Sequence, residues 1–317
     1  MNILSYEESR DDQARINEEE LIFGLIGSSV GHEDGPPVMV DVGANFGNSL
    51  DIYLSRGWKV HAFEPDPDNR SKLLSIYGGN ELLSVSADAV SLIDGERLSF
   101  YASDESTGIS SLSAFTKGHR EKTTVTTTRL DSYLRDKKLS RVDFLKVDVE
   151  GHDYFALQTF PFDRFQPAAV IVEYEDKKSL PLGYDVHEMA TFLEVAGYHV
   201  WVSEWHPIVR YGIAHDWRRL VRYQGQLELS SGWGNLIGFK DNFGDEEIAR
   251  EVALRVRYGQ NTVHGVRAIP KSPGKNGPRL VRIAKFLVRQ FGKISEKKAA
   301  GLYVKLRGLR RRLRTMI

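Results

Sequence analysis

Short apolar runs alternate with stretches of helical periodicity between residues 38 and 240. The runs at 142–149 and 168–174 are almost continuously apolar, as is typical of strands buried on both faces of a parallel sheet. Strands that alternate with helices predict an α/β fold, with a mostly parallel sheet covered by helices on both faces. The predicted strands are 38–42, 58–63, 82–87, 142–148, 168–174, 197–203 and 234–240, and the predicted helices are 46–56, 67–77, 151–159 and 185–196.

An insertion, at about 96–131, separates the third and fourth predicted strands. Residues 98–102 and 123–128 are rich in aromatic and β-branched side chains, which favours two additional strands. The intervening segment, Ser103 to His119, is rich in Ser, Thr and Gly, a composition typical of a mobile loop beside a binding site.

The sequence predicts that the chain is divided into four parts. Residues 1–37 form an N-terminal preface with a polar helical segment near 12–23, and residues 38–245 form the main α/β domain. Residues 246–278 are a connector and linker, and residues 279–317 form a tail. In that tail, apolar residues recur at helical spacing opposite a basic face, which predicts a basic amphipathic helix.

The formal net charge of zero conceals two oppositely charged parts. Residues 266–317 carry 16 Lys and Arg against one acid, Glu296, whereas the rest of the chain carries 27 basic and 42 acidic residues. This asymmetry predicts an anionic partner for the tail, either an anionic membrane surface or the acidic body of a neighbouring subunit. The membrane surface is favoured, because many glycan acceptors are made there.

Composition excludes several classes of site. The chain has no cysteine, which excludes disulfides, thiol catalysis and cysteine-based zinc sites. It contains no apolar run long enough to span a bilayer, and residues 1–20 lack the apolar core of a secretory signal. We therefore expect a cytoplasmic protein that is peripheral, through its tail, on the inner face of the membrane.

A glycine-containing turn after the first strand carries the most specific chemistry. Gly43 and Gly47 allow a tight turn and close approach of a ligand, and Glu64 ends the next strand, 21 residues after Gly43. This order is typical of a site for a nucleoside-containing cofactor, with the carboxylate on the ribose hydroxyls. The spacing Gly-x-x-x-Gly favours S-adenosylmethionine over a dinucleotide, and Asp41 is predicted to face the cationic amino group of its methionine part.

The rest of the predicted cofactor site lies around this turn. Ala44 and Asn45 are between the two glycines, and a helix beginning at Phe46 is predicted to point its amides at the methionine carboxylate. Asp88 and Ala89 end the third strand, where a carboxylate can accept a hydrogen bond from the adenine amine. An ordinary solvated aspartate is the alternative interpretation of Asp88.

A second group of candidate catalytic residues follows the fourth strand: Asp148, Glu150 and His152. Because open α/β sheets bind ligands at the carboxyl ends of their strands, we expect these side chains to lie near the transferable methyl group. They could deprotonate an acceptor hydroxyl or bind a divalent cation. The alternatives are that Glu150 caps the following helix and that His152 lies at the surface.

Two further regions are weaker candidates. Glu173 ends the fifth strand and could join the same site. Residues 205–217 and the arginines 210, 218, 219 and 222 interleave aromatic, His and Arg side chains, which could line an acceptor pocket suited to sugar rings. A packed surface loop is the alternative there.

Together, these motifs resemble the FkbM family of S-adenosylmethionine-dependent methyltransferases. The resemblance covers about residues 38–205 and rests on four ordered motifs: VDVGANFGNS (40–49), AFEPDPDN (62–69), TTRLDSYL (127–134) and LKVDVEGHD (145–153). It implies a class I Rossmann-like methyltransferase with a seven-stranded sheet, in which 234–240 is the one antiparallel strand. It also implies cofactor residues Asp41, Gly43, Asn45, Gly47 and Glu64, and a KxDVEG motif at Lys146, Asp148, Glu150 and Gly151.

The resemblance implies O-methylation of a hydroxyl on a sugar, glycan or small natural product, and the hypothesis is that Asp148 orients or deprotonates it. Two other functions stay open from the sequence. A nucleic-acid methyltransferase is disfavoured, because the signature of exocyclic-amine methylation is absent and the body holding the site is acidic. A non-catalytic binding module in surface-polysaccharide assembly is disfavoured by the intact cofactor motifs.

Overall fold

The computed structural model describes residues 14–31, 35–103, 110–113, 118–208, 210, 213–225, 227 and 232–258. The strands are β1 (Ala14–Arg15), β2 (Val38–Val42), β3 (Lys59–Phe63), β4 (Leu83–Ser86), β5 (Ala89–Val90), β6 (Arg97–Ser103), β7 (His119–Thr128), β8 (Phe144–Val147), β9 (Ala169–Glu175), β10 (His199–Trp205), β11 (Trp217–Arg222), β12 (Trp233–Phe239) and β13 (Arg257–Tyr258). The helices are α1 (Glu18–Ile26), α2 (Asp51–Ser55), α3 (Pro67–Tyr77), α4 (Leu130–Asp136), α5 (Asp153–Gln158), α6 (Asp176–Ser179), α7 (Val186–Val195) and α8 (Asp245–Arg255).

A central sheet has the order β11–β10–β12–β9–β8–β2–β3–β4. The pairs β3–β4, β2–β3, β2–β8 and β8–β9 are parallel, whereas β12 is antiparallel to both β9 and β10. All seven predicted strands are confirmed within one or two residues at each end, as is the antiparallel direction of the last one. The parallel strands carry their carboxyl ends to one edge of the sheet, which is where ligands bind in open α/β folds.

The sheet has eight strands instead of the predicted seven. The additional strand, β11, pairs with β10 as an antiparallel edge and lies in the segment predicted to be a loop. Its sequence, WRRLVR, has three arginines, which are unusual in a strand. Arg218 and Arg219 are accommodated because both guanidinium groups pair with the buried carboxylate of Glu204 on β10.

Helices cover both faces of the sheet. Leu145 packs in the main apolar cluster with α4, α5 and α7, whereas Phe144 stacks on Tyr53 of α2, at 4.9 Å between ring centroids. Because successive strand residues point to opposite faces, these contacts place α4, α5 and α7 on one face and α2 on the other. Phe23 of α1 joins the second face through its edge-on contact with Tyr53, at 5.5 Å.

The segments before and after the central sheet meet each other. Helix α1 packs against α8, and β1 pairs with β13. Residues 245–255, assigned from the sequence to the end of the main domain and to the connector, therefore include a helix that packs against the preface. Residues 1–13, residues 259–278 of the linker and the predicted basic tail (279–317) lie outside the described residues.

The predicted insertion forms a small sheet of its own. Strands β6 and β7 pair as an antiparallel hairpin, and the short strand β5 pairs with β7 in parallel. The two predicted strands of the insertion are therefore confirmed, although β7 begins earlier, at His119. Within the described part of the chain, no helix is long and apolar enough to cross a membrane.

Candidate functional site

Gly43 opens the loop that follows β2, with a φ of 89° in the left-handed region. A Cβ atom there would overlap the backbone carbonyl of Asp148, beyond the end of the neighbouring strand β8. The N–H groups of Gly43 and Ala44 both donate to the carbonyl oxygen of Phe63, each over 3.0 Å. Glycine is required at this position, because the ends of three adjacent strands meet around it.

The predicted helix at 46–56 is mostly absent, and α2 begins only at Asp51. Asn45 and Gly47 have φ values of 48° and 85°, which a right-handed helix cannot contain. The expectation that a helix beginning at Phe46 would present its amides to a ligand is therefore wrong. Irregular backbone forms this side of the site, and a Cβ on Gly47 would come within 2.8 Å of the Tyr77 ring.

Glu64, just after β3, is fixed by the loop around it. Its Oε2 accepts a hydrogen bond from the N–H of Asn45 over 2.6 Å, and its Oε1 accepts one from the N–H of Asp66 over 2.8 Å. The side chain is buried, and this burial raises the pKa of Glu64 to about 7. Each carboxylate oxygen keeps capacity to accept from a further donor in the pocket that it lines.

A pocket at the carboxyl edge of β2, β3 and β8 brings most of the predicted site residues together. Its wall also includes Ser111 and Leu112, which belong to the loop predicted to lie beside a binding site, and Phe100 of β6, which was not among the predicted site residues. The predicted residues that line the pocket are Gly43, Asn45, Glu64, Asp88, Ala89, Asp148, Glu150 and His152. The predicted residues Asp41, Ala44 and Gly47 lie outside its lining.

Asp41 does not face the pocket, contrary to the expectation that it would meet the amino group of a ligand. Its side chain is fully buried, and its Oδ2 accepts a hydrogen bond from the hydroxyl of Ser49. Its Oδ1 lies 3.6 Å from Nζ of Lys146, its neighbour in register on β8. Lys146 in turn reaches Oδ2 of Asp148 over 3.1 Å, so Asp41 is connected to the pocket through this lysine.

Asp88 lines the pocket, and its carboxylate is held by a neighbouring side chain. The hydroxyl of Ser86 donates to Oδ2 of Asp88 over 2.9 Å. Ala89 follows as the first residue of β5 and is buried. The pocket thus has an acceptor and a small apolar surface beside one another, which suits a flat heterocycle bearing an amine.

The loop after β8 holds Glu150 in a left-handed conformation, with a φ of 58°. Both carboxylate oxygens of Asp153 accept from this loop, from the N–H groups of Val149 and Gly151, each over 2.8 Å. The carboxylate of Glu150 pairs with the buried Nζ of Lys178. The alternative that Glu150 caps the next helix is therefore wrong, because α5 begins after His152 and has no side-chain cap.

His152 lines the pocket and is not a surface residue. Its ring packs edge-on against Phe155, at 5.6 Å between centroids, and its Nδ1 is buried with no hydrogen-bond partner among the described residues. Burial lowers the pKa of His152 to about 4, so the imidazole is neutral at physiological pH. A neutral imidazole has one nitrogen that can accept a proton, and this imidazole lines the pocket.

The hairpin is tied to the site at two points. Nζ of Lys122 on β7 binds both carboxylate oxygens of Asp66, at 2.7 and 2.9 Å, in the turn after Glu64. The hydroxyl of Ser111 donates to the carbonyl oxygen of Glu150 over 2.8 Å. Residues 104–109 and 114–117 of the predicted loop beside the site lie outside the described residues.

The predicted acceptor region, residues 205–217, is partly strand and partly an aromatic cluster. The rings of Trp205 and Trp233 lie 5.5 Å apart, and His215 packs edge-on against Trp233 at 5.1 Å. Trp233 is paired in register with Glu175 on β9, whose carboxylate contacts Lys178. The aromatic cluster therefore lies at the same edge of the sheet as the pocket, beyond Glu150.

Helix α1 contributes a buried carboxylate to this cluster. Glu18 accepts hydrogen bonds from Nε1 of Trp205 over 3.2 Å and from Nδ2 of Asn235 over 2.8 Å. Burial raises the pKa of Glu18 to about 7. The sequence analysis missed this residue, because three consecutive glutamates at 18–20 are typical of an exposed first helical turn.

We expect Glu18→Gln to make the unfolding free energy less dependent on pH. A carboxyl group with a raised folded-state pKa ionises more readily in the unfolded chain, so it destabilises the wild type as pH rises from 5 to 8. This loss of unfolding free energy reaches about 3 kcal/mol, because each unit of pKa difference between the folded and unfolded states corresponds to about 1.36 kcal/mol. Urea unfolding at both pH values measures it.

The matched control for this prediction is Glu20→Gln, two residues along the same helix. This control should keep the wild-type difference between pH 5 and pH 8. If Glu18→Gln also keeps that difference unchanged, the buried carboxylate is not the source of the pH dependence.

Comparison with known proteins identifies a family. The model of the methyltransferase FkbM domain matches residues 41–200. A search of the curated proteins finds no match. Among solved structures, the chain is similar to precorrin-6y C5,15-methyltransferase from Geobacter metallireducens GS-15, with 11% identity, a TM-score of 0.34, and coverage of 65% of this chain and 80% of that one. It is also similar to the N-terminal domain of human METTL16 in complex with SAH, with 14% identity, a TM-score of 0.36, and coverage of 75% and 76%.

Proposed function

Because the chain belongs to the FkbM methyltransferase family, we propose that it transfers a methyl group from S-adenosylmethionine to a hydroxyl of a sugar, glycan or small natural product. One observation carries the proposal. Glu64, a carboxylate suited to ribose hydroxyls, and His152, a neutral imidazole with an unpartnered nitrogen, line the same pocket as Asp148.

The residues of the pocket fit the cofactor. Glu64 would accept from the ribose hydroxyls, Asp88 would accept from the adenine amine, and the absent Cβ of Gly43 lets the backbone approach. Asp148 and Glu150 would face the cationic part of the molecule. When bound, S-adenosylmethionine supplies an electrophilic methyl group on a sulfonium centre.

In this proposal His152 removes the proton from the acceptor hydroxyl. The methyl group would leave the sulfonium sulfur, with S-adenosylhomocysteine as the leaving group, and join the hydroxyl oxygen. The hydroxyl proton would move to the imidazole of His152, whose Nδ1 has no hydrogen-bond partner among the described residues. Asp148 is held by Lys146 over 3.1 Å and is positioned to orient the hydroxyl by accepting a hydrogen bond from it. A positioned base typically contributes about 10²–10⁴-fold to a rate.

The choice of a sugar or glycan acceptor is supported by the aromatic cluster. Trp205, Trp233 and His215 lie near the pocket and offer the flat apolar surfaces on which sugar rings pack. The site carries many carboxylates, which disfavours an acceptor with a phosphate backbone. The basic tail is proposed to hold the protein at an anionic membrane surface, where such acceptors are made.

A transfer assay tests the proposal. Purified protein is incubated with S-adenosylmethionine carrying a labelled methyl group and with sugars, glycans or small hydroxylated compounds, and the products are identified by mass and by base-stable attachment of label. Label in an ether linkage supports O-methylation. Label recovered only on nitrogen or carbon, or in added RNA, contradicts it.

A further inference from the structure

Three carboxylates at the edge of the pocket are spaced as if to hold a metal ion. Oxygen atoms of Asp148, Glu150 and Glu173 all lie within 4.8 Å of one another. Oxygen ligands at about 2.0–2.6 Å from a divalent cation are separated by distances of this order. The spacing alone therefore allows a cation site, which the sequence also left open.

A lysine side chain already reaches into this cluster. Nζ of Lys178, on α6, contacts Oε2 of Glu150 and lies 3.4 Å from Oε2 of Glu173. It also lies 2.8 Å from Oε2 of Glu175, and the lysine is only 4% exposed. One buried ammonium group thus has three carboxylates around it.

The backbone holds Lys178 in this place. Gly151 has a φ of 101°, and a Cβ on it would come within 3.1 Å of Cβ of Lys178. The lysine stem therefore runs directly beneath the loop that carries Glu150. The cluster also fixes the charge of the lysine, because the neighbouring carboxylates hold its pKa above the ordinary value.

A divalent cation could not share the site with this ammonium group. A divalent cation about 4 Å from the ammonium would be repelled by roughly 8 kcal/mol at an effective dielectric constant of 20, twice the value for two unit charges. The ammonium also uses oxygen atoms of Glu150 and Glu173 that a metal would need. The chain thus supplies its own cation where the carboxylate spacing would otherwise admit one from solution.

We propose that Lys178 is a positioning residue that occupies the cation place of the Asp148, Glu150 and Glu173 cluster, so that the site works without a divalent metal. This inference rests on the proposed function, which identifies the pocket as the methyl-transfer site, but its test does not measure methyl transfer. Lys178 orients Glu150 towards the pocket and balances the charge of Glu173 and Glu175.

Manganese binding, followed by the electron paramagnetic resonance of free Mn²⁺, tests the proposal. We expect Lys178→Ala to bind one Mn²⁺ at least tenfold more tightly than the wild type, because removing the ammonium leaves the carboxylates uncompensated. Adding Glu173→Gln to this variant should abolish the gain. Lys177→Ala, which removes the exposed neighbouring lysine on the same helix, should bind like the wild type.

Two results would overturn the proposal. One is a folded Lys178→Ala protein that gains no Mn²⁺ binding. The other is tight Mn²⁺ binding by the wild type that Glu173→Gln removes. If Lys178→Ala does not fold, Lys178→Met replaces it, because methionine keeps an apolar stem beneath Gly151. The melting temperatures of the wild type and of Glu173→Gln give a further test, since Mn²⁺ should change neither.

Discussion

Replacing His152 with alanine is expected to lower methyl transfer by about 10²–10⁴-fold, the usual contribution of a positioned base. The reason is local: His152 lines the pocket, its Nδ1 is buried with no hydrogen-bond partner among the described residues, and the imidazole is neutral at physiological pH. Affinity for S-adenosylmethionine should stay within a few-fold of the wild type. Turnover with the acceptor found by the transfer assay, together with calorimetric titration of the cofactor, measures both effects.

The control is His199→Ala, which removes an exposed histidine at the start of β10 and should leave turnover unchanged. The pH profile gives a second check. Because the pKa of His152 is lowered to about 4, wild-type turnover should fall only below about pH 5 through this group. Full turnover by His152→Ala would mean that another group removes the proton.

Replacing Gly43 with alanine is expected to destabilise the protein and to abolish cofactor binding. The residue has a φ of 89°, which costs a non-glycine residue about 1–2 kcal/mol, and its new Cβ would overlap the carbonyl group of Asp148. We expect a loss of about 3 kcal/mol or more in unfolding free energy, at the upper end of single substitutions. Chemical denaturation measures it.

Gly57→Ala separates the two causes of this loss. Gly57 also has a left-handed φ, of 77°, but a Cβ there would meet no atom within 4 Å. This control should cost only the conformational part, about 1–2 kcal/mol. Equal losses of unfolding free energy in the two variants would show that the close approach of the Asp148 carbonyl group to Gly43 adds nothing to the cost of the substitution.

The parallel core of the sheet could be predicted because strands that are buried on both faces consist of almost continuous apolar runs. Strands β8 and β9 are almost continuously apolar, and each was placed within two residues of its observed ends. Gly43 and Glu64 could be chosen for a similar reason, since a turn at a strand end restricts the residue types it accepts. These features depend on local backbone geometry and are visible locally.

Features that depend on tertiary partners could not be predicted. Strand β11 has the arginine-rich composition of a loop. It forms a strand because Glu204, on the neighbouring strand β10, pairs with Arg218 and Arg219, and this pairing is not visible in the local sequence. The helix expected from Phe46 does not form there because Gly47, within its first turn, adopts a left-handed φ of 85°. Apolar periodicity does not report such a conformation.

The charged residues of the site show the same limit. Asp41 was predicted to face the amino group of the cofactor and Glu64 its ribose hydroxyls, but alternation along β2 turns the buried side chain of Asp41 towards the face of the sheet that α2 covers. Lys178 was overlooked because a lysine beside Asp176 and Lys177 is typical of a solvated surface. Its burial follows from three carboxylates brought together by β8, β9 and the loop at Glu150.

The central claim is that S-adenosylmethionine binds at the carboxyl edge of the sheet through Glu64. Its most direct test is calorimetric titration of the wild type, Glu64→Ala and the exposed control Glu81→Ala with S-adenosylmethionine. We predict micromolar binding by the wild type and Glu81→Ala, and binding at least about 100-fold weaker by Glu64→Ala, since two charged hydrogen bonds contribute about 1.5–3 kcal/mol each. No binding by the folded wild type, or equal binding by Glu64→Ala, would contradict the account.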